Sequence, residues 1–494
     1  MKLTAKPAVY NFKENDTAVI FLPEEYEKEI SKRIIPEFAF IKESADISSF
    51  KGKSSEIMFI PFKKYPNIML VGLGKKTKIT KDSLRENSST IVPACKKRNI
   101  PKINIILPKF EKHDEIEVLS AIAEGLTLAD YSFDKYKSSN DEDNNQLKKI
   151  EEAFIYCANT GKAVGILKGL EILAANTNLC RDIINESSEV SNPVAIAGEA
   201  KKLMKFKGIS CRVYGKSEIE KLKMGLLLAV SKGSKYPPQL VVLQYNGDPR
   251  SKKHIAIVGK GITFDSGGMN LKPSASIEDM RSDMSGAASC LYAVKAAAEL
   301  KLKKNIIAVM PLCENMLSNN SYRAGDIFTA YNGKNVEIGN TDAEGRLILA
   351  DAVAFTEKTL KPDCIIDIAT LTGACLVCFG ELIAALLSNN DKLADAIFKA
   401  GAETGEKVWR LPLDKEYDDL IKSDIADVKN VGQGRNAGTI VGAMFIKRFI
   451  KEVPWAHIDI AGTSWFSKAR GYRPKYATGF GVRLFVEFFK TMDI

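Results

Sequence analysis

Histidine is scarce. The chain holds three, His113, His254 and His457, in 494 residues, too few to favour a mononuclear zinc site with two or three His ligands. No apolar run approaches the roughly 20 residues of a membrane span. The opening MKLTAKPAVYNFKENDTAVIF breaks into charge before the apolar core of a signal peptide could form. The expectation is a cytoplasmic chain with no membrane partner. A disulfide framework is missing too: the nine cysteines are odd in number and scattered, often inside apolar runs such as VMPLCEN, the pattern of reduced, buried thiols. Cys375 and Cys378 (CLVC) have the spacing of a redox or zinc pair. No second CxxC accompanies them and both lie in an apolar stretch, so they read as core packing.

Nucleotide and nucleophile fingerprints fail in the same way. After GKG the third glycine of GxGxxG would fall on Phe264, and after VGLG it would fall on Thr77. Neither segment contains a GxxxxGK[ST] phosphate loop. Ser266 lacks both a GxSxG context and a nearby histidine base.

What remains is ordinary globular composition, 45% hydrophobic and 27% charged, in a chain long enough for two to four domains. The net charge of +10, from 71 basic and 61 acidic residues, favours acidic surfaces in general. The lysines are dispersed without a nucleic-acid motif, so a solvated surface is the plainer reading.

TAVIFLP, EIMFIPF, NIMLVGLG and KINIILP are short β-branched runs, and DSLRENSSTIVPACKKR between two of them reads as a crossover helix. SSNDEDNNQ, residues 138–146, reads as an exposed loop. TGKAVGILKGLEILAANTNLCRDIIN repeats its apolar residues at helical spacing and ends among Asn, Ser and Pro. HIAIVGKGITF, NIIAVMPLCEN, CIIDIATLTG and WAHIDIAGTSW are near-continuous apolar runs, as in a parallel sheet covered on both faces. DMSGAASCLYAVKAAAELK and RLILADAVAFTEK supply helices between them. The fold class expected is α/β: a smaller N-terminal α/β domain (1–160), a connecting helix (161–182), and a larger C-terminal α/β domain (183–494) with a mostly parallel central sheet.

Ligands of such sheets gather beyond the C-terminal strand ends, and two segments there carry unusual charge. VGKGITFDSGGMNLKPSASIEDMRSDMSGAAS offers Lys260, Asp265, Lys272 and Asp283 among glycines; IGNTDAEGRLILADA offers Asp342, Glu344 and Arg346. If the latter segment is extended, Asp342 and Glu344 project to one side, Gly345 permits a bend, and Arg346 starts a helix whose N-terminus favours an anion. Four carboxylates suit two divalent cations about 3.5–4 Å apart that activate water for amide hydrolysis, with Lys and Arg stabilising the oxyanion. Each Asp also has an ordinary reading as a cap or turn residue. His457 and Asp459, alternating along a buried strand, read as structural. Spacing alone leaves a two-cation hydrolase and a set of structural carboxylates both open.

NTDAEGRLILADA resembles the signature of the leucyl aminopeptidase (cytosol aminopeptidase) family, and GKGITFDSGG, LKP and DMSGAA match its other site segment in order. IDIATLTGA and WAHIDIAGTSW fit further family segments, so the resemblance covers roughly residues 180–494. It implies that Asp265 and Glu344 bridge two metals (Mn or Zn, with Mg or Co as further fits). Asp342 completes one shell; Lys260, as a neutral amine, and Asp283 complete the other. It also implies that Lys272 stabilises the tetrahedral oxyanion and that Arg346 holds a bicarbonate acting as general base. Met280, Thr370 and Gly373 would line a pocket for the N-terminal side chain. The implied activity is removal of leucine and other apolar residues from peptides with a free N-terminus, by a homohexamer. Some bacterial members of the family bind DNA, which the +10 charge permits.

Overall fold

The computed structural model describes residues 1–24, 40–41, 45–138, 149–432, 434 and 436–492. Residues 139–146 of the acidic stretch expected as a loop lie outside them. The chain forms two compact units, Met1–Ala175 with Lys468–Lys475, and Asn176–Ser467 with Tyr476–Ile494. No sequence feature marks the return of 468–475 to the first unit.

The first unit carries β1 (Lys2–Pro7), β2 (Thr17–Leu22), β3 (Ile57–Ile60), β4 (Asn67–Gly72), β5 (Lys102–Ile106) and β6 (Glu152–Cys157) in the order β1-β6-β5-β2-β4-β3. Every pairing is parallel except β3 with β4. The predicted crossover helix is two, α1 (Lys81–Ser89) and α2 (Ile91–Lys97). Pro93 has no N–H to offer Ser89, so the helical ladder is interrupted there. The glycines of VGLG serve packing: a Cβ on Gly72 would stand 1.9 Å from the Lys53 carbonyl oxygen. That loop is filled by its own neighbour and is no phosphate cradle. α3 (Glu115–Ala129) covers the sheet, and its Glu124 pairs with Arg85 of α1 at 2.5 Å. The long helix α4 (Thr160–Asn185) follows the predicted periodicity.

The second unit is built on a nine-stranded sheet: β7 (Ile209–Tyr214), β8 (Gln239–Asn246), β9 (Ile255–Gly259), β10 (Gly261–Asp265), β11 (Asn305–Asn315), β12 (Cys364–Ala369), β13 (Ala384–Ser388), β14 (Val408–Arg410) and β15 (Trp455–Asp459). Their order is β14-β13-β15-β12-β9-β11-β8-β7, with β10 beside β11. The central four, β15-β12-β9-β11, are parallel, and β8, β7 and β13 join antiparallel. All residues of β9, β11, β12 and β15 are buried, which is why those segments are apolar without alternation. HIAIVGKGITF differs from its expected single strand. It breaks at Lys260, whose N–H donates to Ile368 of β12 (3.0 Å) while β10 moves to pair with β11 beyond Leu312.

Helices α5 (Gly225–Ser231), α6 (Ser285–Glu299) and α7 (Gly345–Phe355) pack around this sheet. Asp351, fully buried on α7, accepts the N–H groups of Leu226 (2.9 Å) and Leu227 (3.0 Å) at the start of α5 and of Tyr331 (2.7 Å). Substituting Asp351→Ala strands three donors, two of them buried and the Tyr331 N–H half-buried, each worth roughly 1–3 kcal/mol when buried. The expected loss is about 3–5 kcal/mol of folding stability, read from urea unfolding midpoints; a midpoint equal to that of the unsubstituted chain would refute this role for the carboxylate.

The cysteine expectation needs one correction. Seven of the nine are buried, Cys375 among them, but Cys378 is exposed. It lies on α8 (Gly373–Phe379), a short helix that turns Leu376, Val377 and Cys378 outward, buries Cys375 and packs Phe379 against the core.

Candidate metal centre

The C-terminal ends of β9, β10, β11, β12 and β15 carry Lys260, Asp265, Asn315, Thr370 and Asp459, and the polar residues converge there. Lys260 is 3% exposed. Its Nζ lies 2.8 Å from Asp283 Oδ1 and 2.8 Å from Glu344 Oε1, and it donates to the Thr370 carbonyl at 2.8 Å. Lys272 Nζ lies 2.8 Å from Asp265 Oδ2 and 2.6 Å from Asp342 Oδ1. Oxygens of Asp265, Asp342 and Glu344 all stand within 4.8 Å of one another.

Two segments far apart in sequence are stitched to make this cluster. After Asp265 the chain turns through Gly267 and Gly268, at φ of +88° and +63°, a region that glycine enters without strain. Ser266 is a turn-builder: its hydroxyl donates to the Asn315 carbonyl (2.8 Å) and accepts the Leu317 N–H (3.1 Å). Asn315, fully buried, donates to Asp265 Oδ1 (2.8 Å) and to the Thr341 carbonyl (3.0 Å). Asn270 and Thr341 exchange bonds, Asn270 N–H to Thr341 Oγ1 at 2.8 Å and Thr341 N–H to Asn270 Oδ1 at 2.9 Å. Asn430 holds the next stretch, accepting from Gly339 (2.7 Å) and donating to Asn340 (2.7 Å).

Local geometry differs from the spacing argument in two respects. Residues 341–344 form a turn, with Glu344 at helical dihedrals capping α7, and are not extended. Asp342 and Glu344 therefore meet through that turn and not through strand alternation. Gly345 has no unusual φ; a Cβ there would stand 2.5 Å from Lys260 Cε and 2.6 Å from its Nζ. Its lack of a side chain is what lets the lysine in.

Burial raises the carboxyl pKa values here. Asp265 is pushed up to about 7, by burial first and Glu344 second, with Lys272 and Lys260 pulling back. Asp283 is raised well above its usual range by burial, partly offset by Lys260. Asp342 is raised by burial against the pull of Lys272. Burial acts on Glu344 too, but the Lys260 and Lys272 ammoniums outweigh it and hold that carboxyl low. For Lys260 burial is outweighed by Asp283, Glu344 and Asp265, so its pKa is raised. Among carboxylates alone it is a cation; the neutral amine expected of a ligand takes competing cations among the same oxygens.

The donor set fits divalent cations. Four carboxylates face two ammonium groups, and the buried Asp283 Oδ2 and Glu344 Oε2 have no hydrogen-bond partner among the described residues. Unneutralised buried carboxylate oxygens are costly, and hard cations are their natural partners. Arg346, the second residue of α7, is buried and donates to the Asn430 carbonyl at 2.9 Å. Its Nε has no partner and it makes no ion pair among the described residues, an arrangement that suits a small anion. Met280 opens a short 3-10 helix, Met280–Met284, that carries Asp283 into the cluster. Thr370 Oγ1 donates to Asp283 Oδ1 at 2.7 Å. Gly373, the first residue of α8, is exposed, with open space where a Cβ would project.

Asn270, Asn315, Thr341 and Asn430 escape a reading from sequence, and Asp459 was read only as a structural residue. The available signal was a polar residue closing an apolar run, as Asn315 closes NIIAVMPLCEN. His457, read as structural, is fully buried and pairs through Nδ1 with Asp367 at 2.6 Å, and Asp367 also accepts Trp455 Nε1 at 2.7 Å.

Comparison with known proteins accords with this geometry. Residues 178–486 match the family model described as the cytosol aminopeptidase family, catalytic domain, and residues 16–140 match that family's N-terminal domain. A probable cytosol aminopeptidase of Protochlamydia amoebophila is 41% identical over 451 residues, 90% of this chain and 89% of that protein. One from Aquifex aeolicus is also 41% identical over 451 residues, 90% of each. Among solved structures, the bottromycin maturation enzyme BotP in complex with Mn superposes with a TM-score of 0.84 at 29% identity, covering 96% of this chain and 99% of that one. With an acidic cluster at the parallel strand ends and a match across both units, the chain belongs to the cytosol aminopeptidase family of metal-dependent peptidases and is a hydrolase of that class.

Proposed function

We propose that the chain removes N-terminal residues, leucine and other apolar ones foremost, from peptides with a free α-amine. The observation that carries this reading is the convergence of Asp265, Asp283, Asp342 and Glu344 on Lys260 and Lys272 within 2.6–2.8 Å. Asp265 and Glu344 would bridge two divalent cations (Mn²⁺ or Zn²⁺, with Mg²⁺ or Co²⁺ acceptable to the same oxygens), Asp342 completing one set of ligands and Lys260 with Asp283 the other. When bound, such a pair lowers the pKa of water and polarises a carbonyl. Lys272, only 15% exposed, places a preorganised N–H donor beside the same oxygens, where it stabilises the oxyanion formed from the scissile carbonyl. Arg346 would hold a bicarbonate through its unpartnered Nε, and that anion would supply a general base for the attacking water. Met280, Thr370 and Gly373 line the pocket for the N-terminal side chain, the last leaving room by having none. A homohexamer working in the cytoplasm completes the reading. No helix of the described residues is long and apolar enough to cross a membrane.

The test pairs two substrates. Leucine amide is cleaved by protein stripped with a chelator and reloaded with Mn²⁺ or Zn²⁺, and not by the stripped protein. N-acetyl-leucine amide, lacking the free amine, is cleaved on the order of 10²-fold more slowly at every metal concentration, since the site's polar groups are left unmatched. Equal cleavage of both amides would refute an aminopeptidase mode.

A further inference from the structure

We infer that Asp459 is a positioning residue for one of the two cation positions, the one offered by Lys260 and Asp283, and that it acts through Thr372 and the loop 370–372. The inference rests on the two-cation reading above. Asp459 closes β15 and is fully buried. Its Oδ1 accepts the N–H groups of Leu371 and Ala461, each at 3.1 Å, with the Thr372 N–H at 3.5 Å. Its Oδ2 accepts the Thr372 hydroxyl at 2.6 Å. Every one of these bonds but that to Ala461 goes to a single turn, the one leaving β12.

That turn touches the cluster from one side. Its first residue, Thr370, accepts Lys260 Nζ on its carbonyl (2.8 Å) and donates its hydroxyl to Asp283 Oδ1 (2.7 Å). Thr372 is fixed from three directions: by Asp459, by Thr439 Oγ1 at 3.0 Å, and by the Cys375 N–H that it caps at 3.1 Å. The Cys375 thiol bonds back to the Asp459 carbonyl at 3.4 Å. The opposite side of the cluster, Asp265 and Asp342, is anchored separately by Asn315, Asn270 and Thr341. Loosening the 370–372 turn therefore shifts Lys260 and Asp283 while leaving Asp265 and Asp342 in place. Partners at this remove orient ligands and typically govern affinity by about 10–100-fold.

The test is a Mn²⁺ titration of the chelator-stripped full-length chain by calorimetry, with the electron paramagnetic signature of a coupled Mn²⁺ pair as second readout. The unsubstituted chain takes up two equivalents. Asp459→Asn and Thr372→Val weaken one of the two equivalents by about 10–100-fold and leave the other unchanged, and the coupled-pair signal disappears at Mn²⁺ concentrations that saturate the unsubstituted chain. Thr372→Ser, which restores the hydroxyl, restores both. Thr372→Val removes one hydroxyl at constant volume and carries the test if the buried Asn variant does not fold. Equal weakening of both equivalents, as a merely structural role would give, overturns the inference, and so does unchanged binding of both. Fewer than two equivalents in the unsubstituted chain would overturn the two-cation reading, and this inference with it.

Discussion

Replacing Glu344 with Gln is expected to lower kcat/KM for leucine amide by about 10³-fold or more, which is roughly 4 kcal/mol of transition-state stabilisation, while the protein stays folded. The reasons are separable. Glu344 is 2% exposed and holds its charge because the Lys260 and Lys272 ammoniums outweigh its burial. Its Oε1 is engaged by Lys260, and its Oε2 has no hydrogen-bond partner among the described residues. An amide of the same shape still accepts from Lys260 through its oxygen, and Lys260 keeps Asp283 and Thr370 as partners. The fold therefore loses little. In the proposed two-cation site the Glu344 position would lose its charge and one of its two oxygens, and an amide nitrogen does not ligate a hard cation. Steady-state kinetics and thermal unfolding on the same preparation, with bound metal counted, separate the two effects. Turnover near that of the unsubstituted chain, with metal still bound, would remove Glu344 from the centre of the site.

The parallel core of the second unit was legible because β9, β11, β12 and β15 are buried on both faces, so the chain spells them as uninterrupted apolar runs. The acidic segments were legible because charge beside such strands is conspicuous. Lys260 shows where legibility stops. HIAIVGKGITF reads as one strand, and its break follows from a bond to Ile368, more than a hundred residues away. Asn315 and Asn430 look like any polar residue after a strand; their weight comes from bonds to Asp265, Thr341 and Asn340, set only when the segments meet. Asp342 and Glu344 were paired by an argument about strand alternation, yet they meet through a turn. The spacing of two holds them close in either geometry, which is why the pairing survives the correction. Cys378 was misplaced because six apolar residues in a row, Ala374 to Phe379, do not reveal which side of a short helix the core will take.

Gly345→Ala is the sharper probe, because local and tertiary preferences oppose each other there. Gly345 begins α7 at ordinary helical dihedrals, and Ala is the better helix former by up to about 1 kcal/mol. From secondary structure alone the substitution should be neutral or stabilising. In the folded chain the new methyl carbon would stand 2.5 Å from Lys260 Cε and 2.6 Å from Nζ, well inside contact distance. What it meets is the far end of a flexible side chain and not backbone, so the lysine gives way and the helix does not. Lys260 would then be displaced from Asp283, Glu344 and Thr370 together. The expected result is a protein that still folds but is less resistant to urea, because breaking buried ion pairs costs about 3–5 kcal/mol against the small gain in helix propensity. Its activity is lower by about 10³-fold, since misplacing one group by an ångström already costs around 10²-fold and here a proposed ligand is moved outright. Pairing Gly345→Ala with Lys260→Ala separates displacement from other effects. If the methyl acts only by expelling the lysine, the double variant is no less active than Lys260→Ala alone, because residues acting as one unit do not add. An active Gly345→Ala protein would mean that the lysine reaches its carboxylates by another path, and the close approach at residue 345 would then carry no function.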